Sequence, residues 1–122
     1  MSTPIGPYTP IVRAGPWLIC SGQLGLRPQA VPPTLVEGGA TTQLRQALAN
    51  AEQLLASEGA SLADVVKTTV FITDMGGYAE VNAAYVECLG DHRPARSLVE
   101  VSGLPMGAAV EVEVWAYRPT EG

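Results

Sequence analysis

Five polar residues have types and settings that could do chemistry: Arg96, Glu111, Tyr8, Ser21 and Asn82. Arg96 follows His92-Arg93-Pro94-Ala95 and opens a strand-like run, where a planar guanidinium at a sheet end could clamp a carboxylate through two parallel hydrogen bonds. A surface ion pair with Glu100 or Glu111 explains the same placement. Glu111 alternates with Glu113. That pattern suits a partly buried carboxylate that positions or activates water, and equally two solvated glutamates on an edge strand. Tyr8 lies in a Gly-Pro-rich loop and Ser21 ends a strand before Gly22, so either binds a ligand or fixes a turn. Asn82 interrupts an apolar helical stripe between Tyr78 and Tyr85, where a buried amide must find partners.

Other chemistries have little support. The chain contains no G-x-x-x-x-G-K, G-x-G-x-x-G, H-E-x-x-H or G-x-S-x-G pattern. Cys20 and Cys88 stand far apart and His92 is the only histidine, so no zinc site is expected. Each cysteine sits in an apolar run without an evident base, which points to reduced, buried thiols and a cytoplasmic setting. Seven Lys plus Arg against twelve Asp plus Glu give a net charge of −5, which disfavours nucleic acid and anionic membranes as partners. Met1-Ser2-Thr3-Pro4 lacks a basic and apolar leader pattern, and no apolar stretch is long enough to span a bilayer.

The elements that must position these residues fit one domain of 122 residues, 47% of them hydrophobic. Ile11-Val12-Arg13 and Trp17-Leu18-Ile19-Cys20 read as a hairpin turned by Ala14-Gly15-Pro16. Gly25 to Gly39 carries Pro28, Pro32 and Pro33 and reads as a long loop, with at most a short strand near Leu35-Val36. From Thr41 or Thr42, the positions Leu44, Leu48, Ala51 and Leu55 recur at helical spacing until Gly59 stops the run. The β-branched segment Val65 to Thr73 is a strand well inside a sheet, turned by Asp74-Met75-Gly76-Gly77. Tyr78, Val81, Tyr85 and Cys88 form the stripe of a second helix, closed by Gly90.

Two strands end the chain. Alternation predicts Val99 and Val101 on the helix-covered face and Arg96, Leu98 and Glu100 on the other. It likewise predicts Val110, Val112, Val114 and Ala116 inward, against Glu111, Glu113, Trp115 and Tyr117. The result is an α+β layer, a mixed sheet with two helices on one face. Its other face, rich in aromatics and charge, calls for a covering partner, and a homo-oligomer is the expectation.

Taken together, Ile5-Gly6-Pro7-Tyr8-Thr9, Ser21-Gly22-Gln23, Val65 to Phe71, Val81-Asn82-Ala83-Ala84-Tyr85, Pro94-Ala95-Arg96-Ser97 with Val99-Glu100-Val101, and Leu104-Pro105 leading to Val110-Glu111-Val112-Glu113 occur in the order seen in the Rid (YjgF-type, reactive intermediate deaminase) family, which the chain resembles over nearly its whole length. The resemblance implies a single Rid-type domain with a chorismate-mutase-like fold, assembled as a homotrimer with clefts between subunits. It implies hydrolysis of 2-imino acids such as 2-iminopropanoate and 2-iminobutanoate to 2-oxo acids and ammonia, without metal or organic cofactor.

On that resemblance, Arg96 pairs with the substrate carboxylate and Glu111 orients or activates water. Tyr8, Ser21 and Gly22 line the cleft from a neighbouring subunit or the loop above it, and Asn82 supports the site. Leu98 stands where relatives often carry Cys, so any substrate contact there comes from backbone groups. Two departures flank the expected cleft: the stretch from Asn82 to Arg96 is shorter than in typical deaminase members, and the Gln23 to Gln43 loop is longer and richer in proline. A non-catalytic or divergent trimer that binds small carboxylates is the competing reading. An endoribonuclease or translation inhibitor, also attached to this family, fits poorly with the acidic chain.

Overall fold

A computed structural model describes residues 5–120, so the leader reading on Met1–Pro4 lies outside the described residues. The strands are β1 (Ile11–Ala14), β2 (Trp17–Leu24), β3 (Val65–Ile72), β4 (Ala95–Glu100) and β5 (Val110–Tyr117), and the helices are α1 (Gly39–Ala56) and α2 (Tyr78–Leu89). They form one five-stranded sheet in the order β1-β2-β5-β3-β4. Every neighbouring pair is antiparallel except β3 and β4, which run parallel. The parallel pair requires a crossover, and α2 supplies it. The fold is therefore mixed α+β with both helices on one face, as expected.

The core lies between that face and the helices. Val110, Val112, Val114 and Ala116 of β5 are fully buried. Leu44, Ala47, Leu48, Ala51 and Leu55 of α1 lie against the same face, one apolar stripe of the 3.6-residue period. Helix α1 begins at Gly39, two residues before Thr41, the earlier of the two expected starts. The prolines hold the preceding segment as a loop, where Leu26 and Leu35 form a bridge. Two amides tie α1 to the sheet. Gln43 Oε1 accepts from the Ala109 N–H at 2.8 Å, and Asn50 Nδ2 donates to the carbonyls of Leu24 and Leu26. Gly25 permits this close seating, since a Cβ there would lie 2.6 Å from the Gln43 carbonyl oxygen.

The expected facing of β4 is reversed. Register pairs Arg96 with Thr68, Leu98 with Val70 and Val99 with Phe71. Thr68 and Val70 are fully buried under the helices, so Arg96 and Leu98 share the helix-covered face, while Val99 stands 42% exposed on the other. The strand carries apolar residues on both sides, and alternation alone could not say which side was in. Parallel pairing with β3 decides it.

Candidate functional site

This reversal separates the polar residues into two groups on opposite faces of the sheet. On the helix-covered face, at the β4 edge, Arg96 Nη1 donates to Asn82 Oδ1 at 2.7 Å, and Nη2 reaches the Tyr78 hydroxyl at 3.5 Å. The guanidinium carbon lies 5.0 Å from the centre of the Tyr85 ring and 5.9 Å from that of Tyr78. A cation held between aromatic faces keeps its charge while losing some water. The Tyr85 ring is itself fixed, because its hydroxyl shares a 2.7 Å hydrogen bond with buried Thr68.

Tyr78, Asn82 and Tyr85 are spaced i, i+4 and i+7 on α2, which brings all three to one side of the helix beside Arg96. The Tyr78 hydroxyl ionises more readily than usual, through its hydrogen bond with Asn82 and then the Arg96 charge. Among the described residues no carboxylate pairs with Arg96. Ion pairs form elsewhere, at Arg13–Glu58, Arg45–Glu87 and Arg118–Asp64, while Glu100 accepts from the Met75 N–H. The guanidinium opens instead onto a pocket of about 380 Å³ walled by Tyr85, Val86, Arg93 and Pro94.

The second group lies on the open face. A groove of about 320 Å³ is lined by Tyr8, Ser21, Gly22, Glu111 and Glu113, among others. An irregularity in the β2–β5 register falls between Cys20 and Gln23, so the chain at Ser21-Gly22 bulges over Glu111. A Cβ on Gly22 would lie 2.3 Å from Glu111 Oε1, so the glycine makes room for the carboxylate. Ser21 Oγ donates to the Thr9 carbonyl at 2.6 Å and its N–H to that of Pro10 at 2.8 Å, which pins the segment carrying Tyr8 along this groove. Glu111 is half-buried. Burial, and then the neighbouring charge of Glu113, raise its pKa above the ordinary carboxylate value.

Of the residues expected to form one site, Tyr8, Ser21, Gly22 and Glu111 therefore come together in one groove, and Arg96 and Asn82 in a separate pocket. Leu98 joins neither, since its side chain packs on the core. Tyr78, Tyr85, Thr68 and Arg93 were not foreseen as site residues. The helical spacing around Asn82 was the available signal for the two tyrosines.

His92 is occupied by a 2.7 Å hydrogen bond between Nε2 and the Val65 carbonyl. Cys20 is fully buried, its pKa pushed up to about 12 by burial, so its thiol is no nucleophile. No cluster of three His, Cys, Asp or Glu able to hold a metal occurs among the described residues, and no helix there is long and apolar enough to cross a membrane.

Comparison with known proteins places the chain in a family. Residues 1–118 match the family described as Endoribonuclease L-PSP. The chain belongs to this family, the Rid (YjgF-type) proteins. Among Rid relatives, a RutC family protein of Pyrococcus horikoshii is 41% identical over 115 residues, covering 94% of this chain and 90% of the relative. The 2-iminobutanoate/2-iminopropanoate deaminase of Escherichia coli is 38% identical over 117 residues, covering 93% and 89%. The crystal structure of RidA from an Antarctic Psychrobacter superposes with a TM-score of 0.88 at 36% identity, covering 94% of this chain and 91% of that one.

Proposed function

We propose that this Rid chain hydrolyses small 2-imino acids to 2-oxo acids and ammonia, in clefts where the Arg96 pocket of one subunit meets the Glu111 groove of the next in a homotrimer. The observation that carries the reading is the half-buried Arg96 guanidinium, fixed by Asn82 and two tyrosines and, among the described residues, paired with no carboxylate. A cation so positioned suits the α-carboxylate of a small acid. Because Arg96 and Glu111 lie on opposite faces, a site that uses both needs two copies. The charges are complementary, since the pocket lining contains two arginines and no acid, and the groove lining two glutamates and no base. The open face also carries Trp17, packed edge-on against Trp115 and Tyr117 at 6.2 and 5.2 Å, an apolar patch suited to a covering subunit.

The chemistry asks little of a nucleophile. Arg96 binds the carboxylate and fixes the protonated imine, whose carbon is already electrophilic. The Glu111 carboxylate takes a proton from water as the oxygen adds to C2, giving a carbinolamine. Glu111 returns that proton to the nitrogen and then accepts the hydroxyl proton as C–N cleaves and C=O forms, releasing ammonia and the 2-oxo acid. Orientation and charge placement carry the rate, and a Glu111 pKa raised above the ordinary carboxylate value makes the group a better base for the proton it takes from water.

The test generates 2-iminobutanoate in situ with a threonine dehydratase and follows 2-oxobutanoate. The protein is expected to speed its formation, Arg96→Ala to remove most of that acceleration and Tyr8→Phe to remove less. No acceleration by the wild type would refute the reading.

A further inference from the structure

The Arg96 pocket holds a second cation that the proposed reaction does not use. Arg93 lies on the short connection between α2 and β4 and contributes to the same wall. Its Nη1 donates to the Gly90 and His92 carbonyls, which anchors the guanidinium at the end of α2. Its Nε and Nη2 have no hydrogen bond, and no carboxylate pairs with it, among the described residues. The rest of the lining suits a short carbon chain: Val86, itself 43% exposed, Pro94 and the Tyr85 ring. In a chain of net charge −5, a pocket whose charged residues are both arginines is a local inversion of sign, and it selects for anions.

We infer that the preferred substrates are 2-imino acids with a second, distal carboxylate, Arg96 holding the α-carboxylate and Arg93 the distal one. The inference rests on the deaminase reading for the reaction and on Arg93 for the substrate class. A neutral side chain leaves the Arg93 charge without a counter-ion beside the bound acid. An acidic one adds a charge-assisted hydrogen bond to a guanidinium that is already anchored.

The experiment compares 2-iminoglutarate with 2-iminobutanoate, each generated in situ by an amino-acid oxidase acting on glutamate or 2-aminobutanoate. It reads the ratio of kcat/KM for the acidic over the neutral imine in the wild type, Arg93→Ala and Arg93→Lys. In parallel, calorimetry measures binding of 2-oxoglutarate and 2-oxobutanoate. The wild type is expected to favour the acidic imine, Arg93→Ala to lower the ratio about tenfold, as for loss of one charge-assisted contact, and Arg93→Lys to restore part of it. A wild type that accelerates 2-iminobutanoate but not 2-iminoglutarate, or a ratio unmoved in Arg93→Ala, overturns the inference and leaves the deaminase reading standing. If neither imine is accelerated the deaminase reading falls, and calorimetry decides the dianion site: tighter binding of 2-oxoglutarate that is lost in Arg93→Ala supports it, and equal or absent binding overturns it.

Discussion

The two faces of the sheet handle their polar residues in opposite ways. On the helix-covered face the groups around the Arg96 guanidinium are held by partners within the chain: Thr68 with Tyr85, Arg96 with Asn82 and both tyrosine rings. On the open face the bulge makes room for Glu111 without neutralising it, and Glu113 beside it adds like charge. One face therefore offers a rigid cation, the other a carboxylate with a raised pKa. The proposed reaction would assign binding to the first and proton transfer to the second, each where local packing can tune it.

Substitutions that break this comparison most strongly are those of its two principal residues. Glu111→Gln is expected to lower kcat for imine hydrolysis by roughly 10³-fold, as for a general base, with a small change in KM. Arg96→Ala is expected to lower kcat/KM by roughly 10²-fold, mostly through KM, as for loss of a charged hydrogen-bond partner. Steady-state kinetics with titrated imine separates the two. A smaller effect falls on stability. Tyr85→Phe leaves the buried Thr68 hydroxyl without its partner and should cost about 1–3 kcal/mol in denaturant unfolding, while Tyr78→Phe, at an exposed hydroxyl, should cost less. The smallest effect is on pH. Activity through the Glu111 carboxylate is lost as pH falls through its raised pKa, and Glu113→Gln removes one cause of the rise. The acid limb of kcat/KM should then move to lower pH in that variant, and an unmoved limb would separate Glu113 from Glu111.

The elements were legible in the sequence because each carries a clean period or punctuation. The strand from Val110 to Tyr117 alternates without a break, and its bounds and facing are as expected. The second helix begins at Tyr78 and is closed by Gly90, as its stripe predicts. The facing of β4 was not legible, since Leu98 on one side and Val99 on the other give no net signal, and the register that resolves it comes from Thr68 and Val70, far off in the chain. That error put Arg96 and Glu111 on one face. The resemblance puts Gly22 in the cleft, but its fit against Glu111 depends on a bulge in strand pairing, which no local pattern announces. Arg93 went unremarked because a single arginine before proline reads as surface until the end of α2 brings it beside Arg96.

The central claim is that one working site draws Arg96 from one subunit and Glu111 from the next, and subunit complementation tests it most directly. Arg96→Ala and Glu111→Gln chains, each nearly inactive alone, are coexpressed with different tags and the mixed trimers are assayed with 2-iminobutanoate. In a cyclic trimer each mixed assembly contains one intact site, so random 1:1 mixing should restore about a quarter of the wild-type rate. Activity no greater than the sum of the two parents, in assemblies shown to contain both tags, would contradict the account.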